Sequence, residues 1–121
     1  MSGRTSRNKG AAGEHEALKA LGAELGISLT RNLQQTREGG ADCLVVKGFA
    51  IEIKRRERLS RPAWWRQACE QADRIGVEPM VLYRRNREPW RALIHIGDRQ
   101  YREDTLTEAA GAIREKWARW P

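Results

Sequence analysis

Little in this sequence could build a covalently or zinc-stapled scaffold. Its two cysteines, Cys43 and Cys69, sit in apolar company without Cys-x-x-Cys spacing, which reads as buried free thiols rather than a disulfide framework. The only histidines, His15 and His95, lie far apart and do not make a zinc site. No apolar run is long enough to cross a bilayer. The first residues, Met1 to Lys9, are basic like the start of a secretory leader, but no apolar segment follows them. A cytoplasmic protein without membrane contact is expected. With 40% hydrophobic and 32% charged residues in 121 positions, the composition excludes a disordered chain and fits one domain.

Acidic side chains are also in short supply. Sixteen stand against 23 basic ones, giving a net charge of +7. Eighteen of the 23 are arginine and five are lysine. The planar guanidinium grips phosphate oxygens two at a time, where an ammonium acts as a point charge. A polyanionic partner, most simply nucleic acid, follows from this bias.

The patterning predicts a basic N-terminal arm over 1–8 and a single domain over 9–121. A helix is expected from Lys9 to Leu25, capped by Asn8 and stopped by Gly26. Ala17, Leu18, Leu21 and Leu25 form its apolar stripe; Glu14 falls on that stripe and Glu16 does not. Ile27 to Leu33 alternates like a strand, and Thr36 to Ala41 reads as a loop. Strands are expected over Asp42–Val46 and Phe49–Arg55, and a helix over Arg61–Ile75 between Ser60 and Gly76. Further strands over Pro79–Arg84 and Trp90–Ile96 precede a helix over Thr105–Trp117, opened by the capping box Thr105-x-x-Glu108. The resulting order, α-β-β-β-α-β-β-α, describes an α/β fold with a central mixed β-sheet flanked by helices, part of it parallel.

Chemistry concentrates in Gly39-Gly-Ala-Asp42 and Ile51-Glu52-Ile53-Lys54. Strand alternation turns Ile51 and Ile53 to one face and Glu52 and Lys54 to the other. Asp42 begins the neighbouring strand, Glu14 faces inward from the preceding helix, and a run of arginines follows Lys54. Carboxylates converging within a basic surface suit a hard cation and a phosphate substrate. One geometric condition attaches to Asp42. A strict two-residue turn at Lys47-Gly48 would pair Asp42 with Ile53 and face it away from Glu52, so a longer loop or a bulge is expected.

In this order the motifs resemble the PD-(D/E)XK nuclease superfamily, and within it the archaeal-type Holliday junction resolvases and their phage relatives. Gly10-x-x-x-Glu14 is similar to the family's first-helix acidic motif, Gly39-Gly-Ala-Asp42 to Gly-Gly-Pro-Asp, and Glu52-Ile-Lys54 to Glu-Val-Lys. Ala41 replaces the usual proline, and Thr36 is the nearest hydroxyl to the family's loop serine. The resemblance implies a restriction-endonuclease-like core and a metal-dependent DNA endonuclease, with Mg²⁺ as cofactor and Mn²⁺ able to substitute. It implies that Asp42, Glu52 and the Ile53 carbonyl hold the ion. Glu14 would act on it directly or through water, and Lys54 would orient the nucleophile and stabilise the phosphate. A glutamine of the following helix, Gln67 ahead of Gln71, would approach the scissile phosphate.

Arg4, Arg7 and Lys9 on the arm, with Arg37, Arg55, Arg56, Arg58, Arg61 and Arg66, are the candidate DNA contacts. Arg84, Arg85 and Arg87 form a further basic turn. With no recognition-helix motif, shape rather than base sequence should select the substrate. A four-way DNA junction cut at two symmetric places would call for a homodimer, encoded by a phage and acting in the host cytoplasm. The alternatives are a nuclease for other branched, flap or duplex DNA, or a DNA-binding accessory domain that has lost catalysis. Of the five tryptophans, one or two are expected in the core, while Trp117 and Trp120 could cover the core or form a dimer surface.

Overall fold

A computed structural model describes residues 3–29 and 43–119, with side chains described over 13–29 and 46–119. Its elements are α1 (Gly3–Leu25), β1 (Cys43–Val46), β2 (Phe49–Arg55), α2 (Arg61–Ile75), β3 (Glu78–Arg84), β4 (Arg91–Gly97), β5 (Gln100–Thr105) and α3 (Leu106–Ala118). The five strands form one sheet in chain order. β2 and β3 are parallel, joined by the α2 crossover, and every other neighbouring pair is antiparallel. This is the expected mixed sheet flanked by helices.

Alternation along the strands sorts the sheet into two faces. Phe49, Ile51, Met80, Leu82, Ala92 and Ile94 pack with Ala17 and Leu21 of α1 and with Ala109, Ala110 and Ile113 of α3. On the other face Val81, Tyr83 and Leu93 meet Trp64, Trp65, Ala68 and Cys69 of α2, while Ala50 meets Ala72. Small residues at Ala50, Ala68 and Ala72 let α2 lie close to the sheet. Trp64, Trp65 and Trp90 are all buried, more tryptophan than the composition suggested for the core. Trp117 packs against the α1/α3 cluster and donates from Nε1 to the Lys47 carbonyl at 2.8 Å, fixing the β1–β2 turn. Trp120 lies outside the described residues. Cys69 is a free buried thiol, its pKa raised by desolvation.

The boundaries of β2 and α2 are those expected, and Thr105 caps α3 by accepting from the Glu108 amide at 3.1 Å. Three local expectations differ. α1 begins at Gly3 rather than Lys9, because nothing between Arg4 and Asn8 breaks a helix and arginine supports one. Residues 27–29 are not in a strand, since Gly26 at φ 74 turns the chain and Ile27 bonds back to the Gly22 carbonyl at 3.0 Å. The rest of that expected strand, residues 30–33, lies outside the described residues. β5 was not expected: Gln100–Thr105 is almost wholly polar, as an edge strand can be when one side faces water. It is set by the tight turn at Asp98 and Arg99, both at positive φ, and by a bulge between His95 and Gly97.

At the start of β3, Glu78 ties the layers together. Its carboxylate accepts from Lys116 of α3 at 2.8 Å and lies 3.3 Å from His95 Nδ1 of β4. Burial pushes the Glu78 carboxyl upward, but the bonds to Lys116 and His95 outweigh it and hold the pKa below the usual value. A depressed carboxyl contributes stability above its unfolded pKa, near 4.3, and loses it as the pH falls through the folded value. Glu78→Gln should therefore lower stability at pH 7 by at most about 1 kcal/mol, given its partial exposure. In urea denaturation the deficit should shrink below about pH 4; a deficit that does not change with pH would contradict this assignment.

Candidate active site

The site lies on β2 at and past Glu52, the partner of the first described residue of β1. The ladder runs Val46↔Phe49, Val45↔Ala50, Leu44↔Ile51 and Cys43↔Glu52, and there its description ends. Ladder bonds alternate along antiparallel strands, so Phe49, Ile51 and then Ile53 direct their backbone groups toward β1. The Ile53 carbonyl thus points to the edge of β2 beyond Cys43.

At that edge a cleft of about 230 Å³ is lined by Gly13 and Glu14 of α1 and by Glu52, Ile53, Lys54, Arg55 and Arg56. It draws from both faces of the sheet. Glu52 and Lys54 project to the α2 side with Ala50, and α1 approaches from the other side. Gly13 packs against Arg55 in this approach, where a Cβ would sit in van der Waals contact at 3.4 Å from the Arg55 Cβ. Glu52 is 1% exposed and lies 3.6 Å from Lys54 Nζ. The α1 stripe is as expected: Ala17, Leu18 and Leu21 are buried, and Glu14 is half-buried at the cleft.

Of the expected residues, the structure brings together Glu14, Glu52, Ile53, Lys54, Arg55 and Arg56. Asp42 and Arg37 lie outside the described residues, as do the side chains of Arg4, Arg7 and Lys9. The hairpin contradicts the expected longer loop. Lys47-Gly48 is a strict two-residue turn, with Gly48 at φ 85 accepting a conformation that a branched side chain resists. No bulge interrupts the described ladder. Convergence of Asp42 on Glu52 therefore requires the chain to leave this register immediately before Cys43.

Other candidates take different places. Arg61 is turned toward the far edge of the sheet, donating to Glu103 of β5 at 2.9 and 3.2 Å. Arg58 and Arg66 are exposed and do not line the cleft. Gln67 is half-buried and Gln71 is buried at 7% exposure, so burial singles out the glutamine that spacing ranked second. Glu16, off the apolar stripe, proves to be a structural partner: it pairs with Arg84 Nε at 3.0 Å and Arg55 Nη1 at 3.9 Å. No local pattern signals this, because its partners are remote in the sequence.

Among the described residues, no three His, Cys, Asp or Glu side chains converge as a metal cluster. Glu14 and Glu52 nevertheless provide two carboxylates in one cleft, and the Ile53 carbonyl is directed to its edge. This donor set is made of oxygen alone, which fits a hard divalent cation and not zinc.

Comparison with known proteins bears on family and fold. Residues 5–114 match the model of a family described as "Phage putative PDDEXK endonuclease". No curated protein matches the chain. Among solved structures, the Holliday junction resolvase of Archaeoglobus fulgidus, an archaeal hyperthermophile, superposes with a TM-score of 0.52 and 22% identity. The match covers 85% of this chain and 96% of that one, and it shows a common fold.

Removing the ammonium from this pair should be felt even without metal. Lys54→Met should cost on the order of 2 kcal/mol in EDTA, because it removes a positive charge from beside the buried Glu52 carboxylate. Urea denaturation measures this; an unchanged midpoint would mean that Lys54 does not compensate Glu52.

Proposed function

The chain belongs to the phage PDDEXK endonuclease family, and on that premise we propose that it is a divalent-cation-dependent, structure-selective DNA endonuclease whose best-fitting substrate is the four-way junction. The observation that carries this reading is Glu52. A carboxylate at 1% exposure, 3.6 Å from an ammonium in a cleft rimmed by arginines, is costly to fold. It is expected where chemistry needs it.

Mg²⁺, or Mn²⁺ in its place, would be held by Glu52, the Ile53 carbonyl and Asp42, with Glu14 directly or through water. Lewis-acid polarisation of the phosphodiester and a lowered pKa for a water nucleophile are what such an ion supplies when bound. The side chains do the rest. Lys54 donates to the attacking water or a phosphoryl oxygen and stabilises the negative charge that develops there. Glu52 fixes the Lys54 ammonium within the cleft. Arg55 and Arg56 hold the flanking phosphates, which positions the backbone without reading bases. Attack forms the P–O bond to water and breaks the P–O bond to the leaving strand; the water gives up a proton to solvent and the leaving oxygen takes one from it. Gln67 of α2 would serve as a supporting contact.

Junction selection is supported by the motif order and by the lack of a base-reading helix; fold alone does not choose a substrate. Resolution needs two symmetric cuts, which supports a homodimer carrying two clefts. The setting would be the cytoplasm of a phage-infected cell.

The test is cleavage of end-labelled four-way junction, flap and linear duplex, in Mg²⁺ or EDTA. Paired symmetric nicks in the junction are expected in Mg²⁺ and none in EDTA. Lys54→Ala should reduce the single-turnover rate roughly 10²-fold or more while junction binding persists. Equal cutting of all three DNAs would overturn junction selectivity, and no metal-dependent cutting would overturn the nuclease reading.

A further inference from the structure

The arginines near the cleft belong to two turns that the fold joins into one body. The β2–α2 connection carries Arg56, Glu57 and Arg58, and the β3–β4 turn carries Arg85, Asn86 and Arg87; all are exposed. Because β2 and β3 are parallel, both turns emerge at the same end of the sheet, which is also the end where the cleft opens. Three bonds connect them. The Arg56 amide donates to the Arg84 carbonyl at 3.1 Å, the Asn86 amide to Glu57 Oε2 at 2.7 Å, and Arg55 Nη2 to Asn86 Oδ1 at 3.4 Å.

The charges within this body divide their work. Arg84 is held beneath the turn, paired with Glu16 and lying 5.9 Å from the centre of the Trp90 ring. Glu57 is engaged with the Asn86 amide, so the two acids closest to the junction of the turns serve to hold it together. Arg85 and Arg87 flank Asn86 on the solvent side, with Glu88 as the one neighbouring acid on the turn.

Arg87 adds a second observation. Its backbone sits at φ 64, in the left-handed region. That conformation costs an L-residue other than glycine or asparagine on the order of 1 kcal/mol. Glycine would fill the position without strain, yet the chain holds a long cation there. Asp98 and Arg99 of the β4–β5 turn share that conformation, so the strain marks Arg87 only together with its exposed place beside Asn86 at the cleft end of the sheet.

We propose that the two turns form one phosphate-tracking rim. In it Arg85 and Arg87 carry the backbone of a DNA arm onward from the phosphates gripped by Arg55 and Arg56. The inference rests on the nuclease reading and extends it by naming the surface along which the substrate leaves the cleft. Glu16 is the positioning residue that holds Arg55 and Arg84, and through Arg84 the root of the β3–β4 turn.

The test uses the full chain carrying Glu52→Ala, so that DNA is not cut, and a fluorescent four-way junction titrated in EDTA over a series of KCl concentrations. Adding Arg85→Ala with Arg87→Gly should reduce the slope of log K against log[KCl] by about two and weaken binding at each salt concentration. Arg74→Ala, at the far end of α2, should leave the slope unchanged. Arg87→Gly alone should keep or raise the melting temperature, which separates a lost phosphate contact from a damaged fold. If the Glu52→Ala parent binds and the double variant keeps its slope and affinity, the rim is wrong and the nuclease reading stands. If the parent binds no DNA, both fail together.

Discussion

A carboxylate removed from water in the middle of a sheet must be compensated, and much of this fold is arranged around one. Glu52 sits at 1% exposure on a strand whose other side contributes Phe49 and Ile51 to the core. Burying an isolated carboxylate costs several kcal/mol, comparable with what burial of two large apolar side chains contributes. The neighbouring ammonium of Lys54 offsets part of that cost, and strand alternation is what places it there. The same alternation anchors Ile51 in the α1/α3 layer, so the charged pair is held as rigidly as the core itself.

Precision at Glu52 depends on the elements around it. The tight turn at Lys47-Gly48 sets the register of β1 on β2, and Trp117 pins that turn to α3. The parallel pairing of β2 with β3 fixes the other edge of the strand, and α2 covers its charged face. α1 brings Glu14 across the opposite face, with Gly13 lying against the Arg55 side chain. Each contact constrains a different direction in which Glu52 and Lys54 could drift. A catalytic group on a rigid strand is held more precisely than one on a loop.

Much of this was legible in the sequence. The periodicity of Phe49 to Arg55, the Arg61-Pro62 start of α2 and the Thr105 cap are local signals that the structure reproduces, although the Ser60 side chain makes no capping bond and the Thr105 amide donates to Asp104 rather than Glu108. Glu52, Lys54 and Glu14 could be found because alternation and helical spacing are short-range geometry. What escaped depends on distant partners. β5 is polar and is a strand because β4 offers it a pairing edge. Glu16 and Arg84, remote in sequence, meet only once α1 and β3 lie side by side. Arg61 continues the basic run from Arg55 in the sequence, but α2 carries it to Glu103. A site that includes Asp42 calls for a longer Lys47-Gly48 loop or a bulge near Asp42; the loop takes the tighter two-residue form, with Gly48 at φ 85.

That turn leaves Asp42 as the point on which the metal-site account depends. Strict continuation of the ladder would face Asp42 away from Glu52, whereas a shared ion requires both carboxylates on one side. Mn²⁺ binding, followed by electron paramagnetic resonance on the wild-type chain and on Asp42→Ala, Glu52→Ala and Lys54→Ala, addresses this directly. The account predicts that losing either carboxylate weakens Mn²⁺ binding at least about tenfold, in the range of lost metal-site partners, while Lys54→Ala retains it. Wild-type Mn²⁺ affinity in Asp42→Ala would contradict a centre shared between Asp42 and Glu52.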